Sequence, residues 1–305
     1  MRTRTMDLSV DIVEVGPRDG LQSEPEVLST DVKLEYIRRL VAGGVRRIEV
    51  ASFVNPAKVP QMADAETIFA SLPAVAGLRP IGLVLNRKGF ERAQAAGCPE
   101  IGMALAVSDT FNRRNQGSST EESLRQWQEI AVSARTAGIR AQITLSTSFG
   151  CPFEGEVAIE RVVEVARRVA ETEPCEISLA DTIGVAVPRQ VTETIARVRE
   201  AVPAMALRAH FHNTRNTGFA NALAAVAGGV QTLDASCGGI GGCPFAPAAT
   251  GNIATEDLVY LLHRSGCATG LSLEALIETG RWLQEQLGRA VPGMLVRAGD
   301  FPRVA

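Results

Sequence analysis

Leu207-Arg208-Ala209-His210-Phe211-His212-Asn213 is the stretch that decides the fold. It is short and largely apolar, follows a helix-like segment, and reads as a strand. Residues i and i+2 of a strand share a face. Two of the chain's three histidines therefore project together from its end. Paired imidazoles make half of a divalent-metal site. Two solvated or core histidines are the plainer reading, and the choice turns on what other segments bring to the same place.

Working outward, Val10–Val15, Arg47–Val50, Pro80–Leu85, Glu100–Leu105, Ala141–Thr147, Cys175–Leu179 and Gln231–Ala235 have the same character as Leu207–His212. They are rich in Ile, Val and Leu and mostly do not alternate, as expected of strands covered on both faces. Amphipathic segments separate them. Thr30 is predicted to cap a helix whose Leu34, Ile37, Leu40 and Val41 form one apolar face, closed by Gly43-Gly44. Gly89–Ala96 reads as a short helix. Ser119-Thr120-Glu121-Glu122 reads as a capping box for a helix running to Gly138. Glu156–Glu171, a segment beginning near Pro188, Thr214–Ala227 and Thr255–His263 follow. Eight such units without a break in composition predict one α/β domain. The expected fold is a single (β/α)8 TIM barrel over about residues 8–268, with an extra helix, Ser272–Leu287, in an extension over about 270–290. A doubly wound open sheet is the rival. The barrel is preferred because polar clusters end strands along the whole chain, and only a barrel gathers all those ends on one face.

After the first run comes Gly16-Pro17-Arg18-Asp19-Gly20-Leu21-Gln22. Asp19 is a candidate metal ligand, and Arg18 a candidate for neutralising charge on a substrate oxygen. A turn carrying a surface ion pair is the alternative. Glu49 interrupts an apolar run, where a carboxylate must be paired; Arg18 or the second nitrogen of a metal-ligating histidine is the expected partner. Asp181 and Thr182 end the sixth run. After the eighth, Cys237-Gly238-Gly239-Ile240-Gly241-Gly242-Cys243 forms a glycine-rich loop with a thiol at its tip, suited to closure and proton transfer. Asn252 then offers an amide oxygen to a hard cation. Asp19, His210, His212 and Asn252 together supply two nitrogens and two oxygens, a set suited to Mg²⁺ or Mn²⁺ better than to zinc.

Composition narrows the alternatives. The net charge of −3 without a Lys/Arg block argues against nucleic acid. No run has the length of a membrane span, and no signal-like stretch follows Met1-Arg2-Thr3-Arg4-Thr5, so a cytoplasmic location is expected. The six cysteines are scattered without a Cys-x-x-Cys and are expected to be reduced.

Val13–Gln22, Ile48–Val54 with Val59-Pro60-Gln61-Met62, Gly150–Gly155, Ile177–Gly184, Gly241–Pro244 and Gly251–Asp257 together resemble 3-hydroxy-3-methylglutaryl-CoA lyase over about residues 10–285. The resemblance implies retro-Claisen cleavage of a 3-hydroxy-acyl-CoA, with a place in leucine degradation and a dimeric or tetrameric assembly. It implies Asp19, His210, His212 and Asn252 as ligands of Mg²⁺ or Mn²⁺, with Arg18 and Gln22 facing substrate and Arg18 stabilising the enolate oxygen. It further implies Cys243 in proton transfer, Glu49 and Asp181 supporting the site, Asp181 as a candidate base, and Glu256 holding the Asn252 turn. One departure stands out. The family's second histidine is usually followed by aspartate and Thr-Tyr-Gly, whereas Asn213 and Arg215-Asn216-Thr217-Gly218 stand here. The loss of a carboxylate and gain of a cation leave open a related thioester such as citramalyl-CoA or a branched 3-hydroxyglutaryl-CoA. A condensing acyl transferase of the same barrel group and a non-catalytic acyl-CoA binder are the remaining alternatives.

Overall fold

A computed structural model describes residues 8–242 and 251–302. Eight parallel strands close into a barrel in chain order: β1 Asp11–Glu14, β2 Arg47–Ser52, β3 Arg79–Val84, β4 Glu100–Ala106, β5 Arg140–Ser146, β6 Ile177–Asp181, β7 Leu207–Phe211 and β8 Thr232–Ala235, with β8 pairing back onto β1. Each lies within a few residues of its predicted run, and the open sheet is excluded. Around the strands run α1 Thr30–Ala42, α2 Ala65–Ala70, α3 Arg87–Ala95, α4 Asp109–Gln116, α5 Thr120–Thr136, α6 Ile159–Ala170, α7 Pro188–Ala201, α8 Gly218–Ala227 and α9 Thr255–Arg264. Then come α10 Leu273–Leu287 and a final turn, α11 Leu295–Ala298.

The helices start where side chains satisfy the free N–H groups of their first turns. The predicted capping box of α5 is present: the Ser119 hydroxyl accepts from Glu122 N–H, and Glu122 accepts from Ser119 N–H. Its buried Leu124, Trp127, Ile130, Ala131 and Ala134 form the stripe that faces the strands. Two starts differ from expectation. Ser29, not Thr30, caps α1, because the Thr30 hydroxyl is turned to Asp64. Asn86 caps α3 by accepting from Gly89 N–H, so that helix begins earlier than Gly89.

The apolar core lies between strands and helices, with Trp127, Phe90, Ile37, Leu40, Phe149 and Phe211 among its buried members. Inside the barrel the packing is different. Val13, Val15 and Ile81 form a small separate cluster there, and much of the remaining space is taken by buried charges on the strands or just before them: Arg47, Glu49, Glu100, Glu176, Arg208 and Asp234. At the N-terminal end, Arg47 Nη2 pairs with Glu176 at 2.9 Å and with Glu100 at 3.4 Å. Buried ions need such partners, since each alone would cost several kcal/mol of solvation or more.

α10 packs against α1, with the Tyr36 and Trp282 rings 6.3 Å apart and the Arg39 guanidinium over Trp282. The segment after α10 is tied beneath the β8–α9 turn by Gly293 N–H to Gly238 O at 2.9 Å and by Asp257 accepting from Met294 and Leu295 N–H. No helix among the described residues is long and apolar enough to cross a membrane.

Candidate active site

The strand ends carry the site. After β1, residues Gly16–Gly20 form one π-helical turn in which the N–H groups of Arg18, Asp19 and Gly20 converge on Val15 O. Such turns are frequent at functional sites. The turn is clamped from behind by Glu14, which accepts from Gly16 N–H, Cys237 N–H and the Thr255 hydroxyl. A side chain at Gly16 would come within 2.3 Å of the Tyr36 hydroxyl, so only glycine allows the close approach. Across the barrel, β7 presents His210 and then His212. A short antiparallel bridge pairs His212 with Asn252, reinforced by Asn213 N–H to Gly251 O and Ile253 N–H to Phe211 O. That bridge sets Asn252 beside the imidazoles.

Asp19, His210 and His212 each offer a ligand atom within 4.8 Å of the others. Asn252 completes the group through its Nδ2, which donates to Asp19 Oδ2 at 2.9 Å and to Ile240 O at 3.1 Å. The four predicted ligands thus meet. Asn252 Oδ1 and His212 Nδ1 are buried without a hydrogen-bond partner. Orphaned buried lone pairs are costly, and a divalent cation is what this donor set suits.

The charges are tuned to match. Burial opposes ionisation of Asp19, but the Arg18 guanidinium and the two imidazoles prevail and hold its pKa at about 2. Burial, followed by the charge of His210, pushes His212 down to about 4, so its ring is neutral with one nitrogen lone pair available. At His210 burial is outweighed by the hydrogen bond and charge of Asp234, and the pKa rises. His210 Nδ1 lies 3.2 Å from Asp234 Oδ2. A carboxylate there fixes the ring and leaves Nε2 for a ligand.

Arg18 is held by Glu49, with Nε and Nη2 both on Oε2 at 2.7 and 2.5 Å, and by Asp19 Oδ1 at 2.6 Å. Burial would lower its pKa, but the two carboxylates raise it, so the cation is permanent. These groups open on a cavity of about 170 Å³ lined also by Gln22, Leu83, Leu85, Phe111, Thr144, Ser146 and Thr182. The Gln22 amide oxygen accepts from Ser52.

Other predicted residues lie elsewhere. Asp181 turns away from the cavity, which Ala180 and Thr182 line instead. Its two oxygens accept from Val185 and Ala186 N–H, and burial raises its pKa. In the structure it closes the β6–α7 turn. Glu256 grips not the Asn252 turn but Gly238 N–H, with both oxygens. Cys243 lies outside the described residues. Arg215 points its Nη1 at the carbonyls of Ile183 and Gly184, and Asn213 Oδ1 accepts from Gly218 N–H. Neither lines the cavity. Asp234, Glu14 and Arg208 were not singled out from sequence. The signal that exposes Glu49, a charge inside an apolar run, is present at all three.

Comparison with known proteins places this arrangement. The chain is 45% identical to an (R)-citramalyl-CoA lyase of Chloroflexus aurantiacus, with 97% of each chain covered. It is 44% identical to a hydroxymethylglutaryl-CoA lyase of Pseudomonas mevalonii over 92% of this chain and 94% of that one. An HMG-CoA lyase of Acinetobacter baumannii, solved with coenzyme A and 3-methylmalate, superposes with a TM-score of 0.93 at 38% identity, covering 100% of this chain and 99% of the other. The HMGL-like family model matches residues 9–283, and the chain belongs to the HMGL-like family.

Proposed function

We propose that the protein is a carbon–carbon lyase that cleaves 3-hydroxy-3-methylglutaryl-CoA to acetyl-CoA and acetoacetate. The observation that carries this reading is the Arg18 guanidinium, locked by Glu49 beside the Asp19–His210–His212 cluster at the floor of one cavity. Asp19, His210, His212 and Asn252 would hold Mg²⁺ or Mn²⁺, which when bound supplies Lewis-acid polarisation of substrate oxygens. Cleavage removes the proton of the tertiary hydroxyl, breaks the adjacent C–C bond and leaves negative charge on the thioester oxygen of the departing acetyl-CoA enolate. Arg18 supplies fixed positive charge where that charge develops, at no cost of reorganisation. Gln22 and the Thr144, Ser146 and Thr182 hydroxyls offer donors to the acyl group's polar end. Proton transfer is assigned to Cys243; Asp181, occupied by backbone N–H groups, is not assigned it.

A second reading is cleavage of citramalyl-CoA to acetyl-CoA and pyruvate, favoured by the Chloroflexus relative. The two acyl groups differ by one methylene, worth about 1–3 kcal/mol of discrimination in a fitted pocket. The Asn213 and Arg215 departures do not decide between them, because neither side chain reaches the cavity. A homo-oligomer working in the cytoplasm, in leucine degradation, completes the proposal. Mass spectrometry of both thioesters incubated with the protein, with and without Mn²⁺, tests it. Acetoacetate release that requires Mn²⁺ supports the first reading, pyruvate release the second, and no acetyl-CoA from either overturns both.

A further inference from the structure

Arg208 sits on β7 two residues before His210, on the same inward face, and is 1% exposed. Its guanidinium reaches two carboxylates from below. Nε is 3.2 Å from Asp234 Oδ1, and Nη2 is 3.7 Å from Glu49 Oε1. The other oxygen of each carboxylate is already committed upward: Asp234 Oδ2 to His210, and Glu49 Oε2 to Arg18. Nη1 adds a longer contact to Glu176, at 3.8 Å. One cation therefore balances the two buried anions that separately hold the arginine and one of the imidazoles of the site. Without it, Asp234 and Glu49 would be like charges in a poorly solvated interior, each free to turn toward Arg18 or His210 differently. Arg208 Nε and Nη1 and Asp234 Oδ1 make no aligned hydrogen bond, so the coupling is one of charge and position.

We propose that Arg208 is a positioning residue that couples the placement of Arg18 to that of His210. This rests on the lyase reading for its kinetic part, while its metal-binding part does not need the substrate. In Arg208→Met, kcat falls about 10–100-fold and Mn²⁺ binding, read by electron paramagnetic resonance without substrate, weakens about tenfold. KM stays within about threefold, as for a group that acts on the transition state and not on ground-state binding. Arg208→Lys keeps the charge and recovers most of both losses. In the Arg18→Lys background Arg208→Met adds less than its full loss of kcat, because the part that passes through Glu49 is already spent while the part through Asp234 and His210 remains. Wild-type kcat and Mn²⁺ affinity in Arg208→Met, or losses that multiply fully with those of Arg18→Lys, overturn the proposal. If the methionine variant does not fold, Arg208→Gln decides, since it keeps a polar side chain but not the charge: an about tenfold or larger drop in kcat at unchanged KM with weakened Mn²⁺ binding supports the proposal, and wild-type values of both overturn it. If neither thioester proves to be a substrate, the Mn²⁺ titration still separates failure of this proposal from failure of the lyase reading.

Discussion

The space inside the barrel and the layer outside it are built on opposite terms. Outside, Trp127, Phe90, Ile37 and Leu40 fill the gap between strands and helices with apolar volume. Inside, where such barrels ordinarily stack branched aliphatic residues, this chain stacks Arg47, Glu49, Glu100, Glu176, Arg208 and Asp234 in paired contact. The outer layer supplies stability without direction. The inner one is an expensive substitute for a hydrophobic fill, and what it provides is orientation: every pair it makes at the C-terminal end leads to Arg18 or His210.

Substitutions separate the two regions. Trp127→Ala, in the outer layer, should cost about 3–5 kcal/mol of stability through a buried cavity, with kcat of the folded fraction unchanged; calorimetry and a steady-state assay report both. Arg18→Met, at the inner site, should reverse the pattern. The protein stays folded while kcat/KM falls about 10²–10³-fold, or about 3–4 kcal/mol of transition-state stabilisation.

The border between the regions is sensitive to pH. Burial raises Glu256 to about 8 and Glu14 to about 7, both from 4.5. Folding therefore favours their protonated forms. The stability they carry is complete below about pH 4.5 and is lost as pH rises through 7 and 8. Melting temperature should accordingly fall between pH 5 and pH 9. Glu256→Gln should flatten that fall, with the loss of unfolding free energy at the alkaline end smaller by an amount on the order of a few kcal/mol. An identical slope in the variant would remove Glu256 as a cause. The smallest effect belongs to a helix start: Ser119→Ala should lose about 1 kcal/mol with the α5 cap and leave catalysis untouched.

The outer layer was readable in the sequence because it is written in local patterns. Apolar runs became strands, and the Ser119–Glu122 box marked a helix start to the residue. α4 escaped because Asp109-Thr110-Phe111-Asn112-Arg113-Arg114-Asn115-Gln116 carries no apolar stripe. α8 begins at Gly218 rather than Thr214 because the Asn213 side chain holds the intervening turn. The four candidate ligands were readable because Asp19 follows β1, His210 and His212 end β7, and Asn252 stands in the glycine-rich connection from β8 to α9. Their supports were not: Asp234 reaches His210, and Arg208 reaches Glu49, only through the register of neighbouring strands and the closure of the barrel. The use of both Asp181 oxygens by Val185 and Ala186 N–H was hidden for the same reason, since it depends on a loop that folds back.

The proposed lyase needs four side chains from distant parts of the chain to hold one cation beside Arg18. Anomalous diffraction from crystals grown with Mn²⁺ tests this most directly. The expected result is a single strong peak within bonding distance of Asp19, His210, His212 and Asn252. Crystals that bind Mn²⁺ only elsewhere, or leave those four side chains without a peak at millimolar Mn²⁺, would contradict it.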